Sequence, residues 1–222
     1  MAVSKSTFDN ATSLVIDQLE GGYYHPDMLS DGRITDSRYS GSGETMFGLD
    51  RTNGAQLSSD PNWNKFWSLI DQSGARDSWP WNYMGGSYNT QLKSYAEDIM
   101  YTWYNTLSNQ YLSAGARAIV ESTPGLLFNF IYAAWNGAGW FKTFATTINN
   151  AVAGGNTDPT SLTQIAINAR TGSSNSLIAQ TGAKIAQIIK SLPAMAAANS
   201  SKALGVLLFV GFGVGAWLYF RE

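Results

Sequence analysis

Glu20 sits in the stretch LEGGYYHPDM, residues 19–28, at the point where a helical pattern stops against Gly21 and Gly22. A carboxylic acid in such a place can do proton chemistry if apolar and aromatic groups desolvate it, because burial favours the neutral, proton-carrying form. Tyr23 and Tyr24 supply the aromatic surroundings, and the two glycines let a substrate approach the backbone closely. A glutamate before a glycine stop is equally at home as a solvated surface residue, so local chemistry leaves both roles open. Three further carboxylates, Asp27, Asp31 and Asp36, follow within sixteen residues, and Thr45 comes shortly after them.

Other chemistries lack their residues. The chain has no cysteine, which removes thiolate nucleophiles, thiolate metal sites and disulfides. His25 is the only histidine; beside Pro26 it reads as a surface turn residue, and one imidazole is too few for a His-based zinc site. Neither a metal nor a cofactor is expected. A net charge of −2 provides no basic footprint, so nucleic acid is not an expected partner. The aromatic fraction of 13% is high enough to furnish flat faces for sugar rings as well as a core. Trp81, with Trp79 and Tyr83, lies in an aperiodic stretch at 74–90 and fits either a glycan groove or a core.

The elements that must position these groups are mainly helical. Phe8, Ala11, Val15 and Leu19 form one stripe behind Ser6-Thr7 and lead directly to Glu20. Asp60-Pro61 reads as a helix start with Trp63, Phe66, Trp67 and Ile70 on one face. Leu92, Tyr95, Ile99, Trp103 and Leu107 mark a longer helix. Thr123-Pro124 opens another that ends at Trp135 and the Asn136-Gly137 turn. Phe141, Phe144, Ile148 and Val152 make the next stripe, Asp158-Pro159 starts a helix through Leu162 and Ile165, and a final one is expected over Leu177–Leu192. Between Tyr23 and Ser58, Gly, Ser, Asp and Tyr recur without helical period, which predicts short strands and turns. The expected class is therefore mainly α, in α+β form: a helical domain over residues 1–192 with a small β-rich insertion after the first helix.

The C-terminal stretch differs in kind. From Ala203 to Phe220 no residue is charged, and 18 helical residues span about 27 Å, enough for a bilayer core. Residues 203–220 are read as a transmembrane anchor and 193–202 as its linker. Trp217 and Tyr219 sit where interfacial aromatics are expected, and Gly211 and Gly215 form a GxxxG. The opening MAVSKSTFDNATS lacks the apolar core of a secretory signal. Lys184, Lys190 and Lys202 before the span, against Arg221 alone after it, favour a cytoplasmic face for the domain.

EGGY at 20–23, followed by GSGETMFGLDR at 41–51, resembles the N-terminal motif of phage and bacterial muramidases of glycoside hydrolase family 108. Gly43, Thr45, Phe47, Gly48 and Leu49 match its second segment, with Ser42 where that family has glycine. LLFNFIYAAWNGAGWFKTF is similar to the family's C-terminal helical half, so the resemblance runs from about residue 10 to residue 170. It implies a lysozyme-like fold that cleaves peptidoglycan between N-acetylmuramic acid and N-acetylglucosamine, by hydrolysis or by lytic transglycosylation. On that basis Glu20 is the expected general acid, Thr45 orients water or an acetamido group, and Asp36 is the candidate second carboxylate. Tyr23, Tyr24, Phe47, Trp81, Trp135 and Asn136 are the expected substrate contacts. Together with the anchor, this points to a virion-associated enzyme of a membrane-containing bacteriophage, with peptidoglycan, a lipid bilayer and virion structural proteins as partners. The alternative is a catalytically silent, lysozyme-like structural protein of a virion membrane or vertex.

Overall fold

The computed structural model describes residues 3–20, 23–24, 45–51, 54–72, 87–172 and 176–192. The described part is mainly helical: eight α-helices and one three-stranded sheet of two-residue strands. Among the described residues no helix is long and apolar enough to cross a membrane. The expected linker at 193–202 and anchor at 203–220 lie outside them.

Helix α1 (Lys5–Val15) starts two residues before the Ser6-Thr7 signal, because the Ser4 hydroxyl accepts from the Thr7 amide at 3.2 Å and supplies the N-cap. It buries Phe8, Ala11 and Val15 as the stripe predicts. It then widens into a π-helical turn, Ile16–Glu20. Bonding of each amide to the carbonyl five residues back takes more residues per turn, so Glu20 points in a direction that a continued α-helix would not give it. Single π-turns of this kind recur at functional sites.

The sheet runs β1 (Tyr23–Tyr24), β2 (Thr45–Met46), β3 (Leu49–Asp50), antiparallel throughout, with Tyr24 opposite Thr45 and Thr45 opposite Asp50. Phe47 and Gly48 make the two-residue turn of the β2–β3 hairpin with φ of 51° and 74°. Positive φ at both central positions is the I′ geometry that matches strand twist; at a bulky residue such as Phe47 it is a strained conformation. A 3₁₀ turn, Ala55–Leu57, leads from the hairpin to α2 (Pro61–Gln72), where Trp63, Phe66, Trp67 and Ile70 are all buried. The hairpin is fixed on α2 by a two-bond ion pair of Arg51 with Asp71, at 2.9 and 3.0 Å, and by the Arg51 guanidinium over the Trp67 ring at 5.2 Å.

Helix α3 (Ser87–Tyr111) begins inside the stretch read as a loop at 74–90, so residues 87–90 are helical; Leu92, Ile99 and Leu107 fill its buried face as expected. Helix α4 (Ala114–Ser122) has no clear signal in the sequence. It is a short amphipathic element capped by the Ser113 hydroxyl, with only Ala116 and Val120 as apolar buried residues. Helix α5 (Pro124–Trp135) is buried on every side from Gly125 to Ala134, which makes it the axis of the domain. Helices α1, α3, α4, α6 (Ala138–Ala153), α7 (Pro159–Thr171) and α8 (Ser176–Ser191) pack around it. Phe130 and Phe141 meet edge to face at 5.2 Å in this core.

Candidate active site

The end of α5, the π-turn and the β2–β3 hairpin converge on one point. A Cβ built on Gly48 would collide with the Glu20 carboxylate, whose Cδ stands 2.8 Å away, and with Trp135 Nε1, also at 2.8 Å. The two side chains therefore lie against the same patch of hairpin backbone. Trp135 Nε1 donates to the Phe47 carbonyl at 2.9 Å, so α5 is bonded to the strained turn itself. Trp103 of α3 holds the same helix end by donating to the Ala134 carbonyl at 3.2 Å. The Asn136 side-chain amide closes it by donating to the Tyr132 carbonyl at 2.8 Å.

Tyr132, one turn before Trp135 on α5, is buried and feels the Glu20 charge. Burial, first, and the nearby Glu20 carboxylate push its phenol above the ordinary tyrosine range, with Arg170 opposing; the phenol stays neutral at any physiological pH. Arg170 of α7 is 3% exposed and carries its cation between two rings, 4.9 Å from the Tyr132 centroid and 4.4 Å from that of Phe144. Its Nε donates to Asn129 Oδ1 at 2.7 Å and a terminal nitrogen to the Asn129 carbonyl at 3.2 Å. Desolvation lowers Arg170 to about 10, which leaves it cationic at neutral pH.

The expected site residues divide as follows. Glu20, Trp135 and the Phe47-Gly48 turn are brought together. Thr45 is buried in β2, and Tyr23 and Tyr24 form β1 beside it, so the sheet register brings the backbone after Glu20 to the hairpin. Phe47 does not present its ring to a groove. The side chain is wholly buried, 6.4 Å from Phe66, and the residue serves the site through its carbonyl. Asn136 is exposed at the α5 C-cap, next to Gly137, whose φ of 106° the turn into α6 requires. Asp36 and Trp81 lie outside the described residues. Tyr132 and Arg170 were not singled out from the sequence. Tyr132 is hidden in the apolar run GLLFNFIYAAW, though its three-residue offset from Trp135 places both on one helical face, whereas Arg170 leaves no signal at all.

Among the described residues no three His, Asp or Glu side chains gather as a metal site would require. Compared with profiles of known protein families, with curated proteins and with solved structures, the chain matches none.

Proposed function

We propose that the chain is a peptidoglycan-degrading glycosidase of lysozyme-like α+β architecture, with Glu20 as general acid. The observation that carries this is the seating of the Glu20 carboxyl at a helix end, against the Gly48 backbone, Trp135 and the neighbourhood of Tyr132. A proton donor so placed can protonate the glycosidic oxygen between N-acetylmuramic acid and N-acetylglucosamine as the C–O bond breaks. Water, oriented by Thr45 or activated by Asp36, then adds hydroxide to the anomeric carbon and returns a proton to the carboxyl pair. In the transglycosylase variant the muramyl 6-hydroxyl attacks in place of water and an anhydro product leaves. Tyr23, Tyr24, Trp81, Trp135 and Asn136 are the proposed walls of the glycan cleft.

The apolar span at 203–220 would hold the domain on a bilayer as a single-pass protein. Combined with a cytoplasm-facing domain, this fits packaging into the internal membrane of a bacteriophage particle and use during wall penetration. The decisive test is a zymogram on purified peptidoglycan. Clearing by the wild type and none by Glu20→Gln supports the enzyme, whereas no clearing by either overturns it in favour of a structural virion protein. Mass spectrometry of released muropeptides separates reducing from anhydro ends, and detection in purified particles separates a virion protein from one confined to host membranes at lysis.

A further inference from the structure

Tyr132 lies where four elements meet. Its ring belongs to α5 and carries the Arg170 cation of α7 on one face at 4.9 Å. Its hydroxyl is hydrogen-bonded to the side chain of Thr181, a buried residue of α8, and to that of Asn136. Glu20, from the π-turn, is the charged group on its remaining side, so Glu20 and Arg170 are the two charges facing it. One turn along α5, Trp135 lies against the same Gly48 backbone as the Glu20 carboxyl. Ring and hydroxyl are thus fixed by three partners outside Glu20, and the phenol has no freedom to turn.

We infer that Tyr132 is a positioning residue for Glu20, and that Thr181 of α8 sets its effect by occupying the phenolic hydroxyl. A hydroxyl engaged by Thr181 gives Glu20 a polar neighbour without donating to its carboxylate. If the Thr181 oxygen is removed, the same O–H can turn to the carboxylate, and a hydrogen bond to the charged form favours ionisation. If the phenolic oxygen is removed, Glu20 faces a bare ring and the neutral acid is favoured. The state of Glu20 then depends on how α8, the last described helix, is docked. The inference deepens the assignment of Glu20 as the acid and rests on it for its catalytic meaning, but the ionisation of Glu20 can be read without any turnover.

The experiment is a ¹³C-carboxyl NMR titration of the full chain labelled at glutamate, with Glu20 assigned among five glutamates by Glu20→Gln. Tyr132→Phe raises the Glu20 midpoint by half a unit or more, Thr181→Val lowers it by a similar amount, and Thr181→Ser leaves it at the wild-type value. In the Tyr132→Phe background, Thr181→Val has no further effect. Unchanged midpoints in both single variants overturn the inference, as does a Thr181→Val shift that persists without the phenol. A zymogram that fails while these shifts appear rejects the glycosidase and leaves the positioning role standing.

Discussion

The Glu20 carboxyl carbon and the Trp135 indole nitrogen each stand 2.8 Å from the point that a Cβ on Gly48 would occupy. Position 48 therefore has no room for a side chain, and its φ of 74° disfavours one on conformational grounds as well. Gly48→Ala is expected to cost about 1–3 kcal/mol in strain and to displace Glu20. Circular dichroism should show helical content retained with a lowered Tm, while peptidoglycan clearing falls by about two orders of magnitude, the loss that a misplacement of the order of 1 Å brings. Full activity in a folded Gly48→Ala protein would separate Glu20 from the chemistry.

Trp135→Phe keeps the ring bulk and removes the donor to the Phe47 carbonyl. The hydrogen bond is worth about 1 kcal/mol net, and its loss falls on a turn already held at positive φ at Phe47. Hydrogen exchange of the Leu49 and Asp50 amides should accelerate by about fivefold while amides in the middle of α5 keep their protection. Equal acceleration in both regions would mean that the indole stabilises the whole domain and not the hairpin.

Glu97, on α3 opposite α1, has its carboxyl pushed up to about 7, first by burial and then by Asp9, with Lys5 and Lys93 opposing and Asp98 adding. A folded-state value above the unfolded one means that the native protein binds the extra proton. Its contribution to stability is therefore complete below about pH 4.5 and is lost as pH rises through 7. Glu97→Gln should raise Tm by a few degrees at pH 8 and leave it unchanged near pH 4.5. A Tm gain that is the same at both pH values would show that the carboxyl is not the titrating group. Lys5 holds the other two acids of this face, with Asp9 at 2.6 Å and Asp98 at 2.8 Å, so Lys5→Met should lower stability at pH 8.

Asp158 caps α7 by accepting from the Ser161 amide at 2.7 Å, with Pro159 at the first helical position. Asp158→Ala is expected to cost about 1 kcal/mol. Since α7 carries Arg170 under Tyr132, a denaturant midpoint and a zymogram should be measured together. Retained clearing with a lowered midpoint is the expected pair, because the cap is far along the helix from Arg170.

Glu20 and the Phe47-Gly48 turn were legible in the sequence, because a helical stripe ending at a Glu-Gly-Gly and a Phe-Gly pair between short apolar runs are local patterns. The helix starts at Pro61, Pro124 and Pro159 were legible for the same reason, since proline fixes φ and lacks a donor whatever surrounds it. Local pattern failed where an element draws its stability from others. Helix α4, with two buried apolar residues, forms against α5 and α6. The π-turn before Glu20 keeps the apolar residues of a helix and shows itself only in hydrogen bonding. Phe47 shows the same divide: its type fits a sugar platform, yet its ring closes onto Phe66 and its carbonyl faces the site. Tyr132 and Arg170, 38 positions apart, became partners only when α7 packed across α5, since desolvation and ring-to-cation contact are properties of the folded interior. Composition and spacing thus settled which groups were present and which chemistries were excluded. Packing alone decided which of them face Glu20.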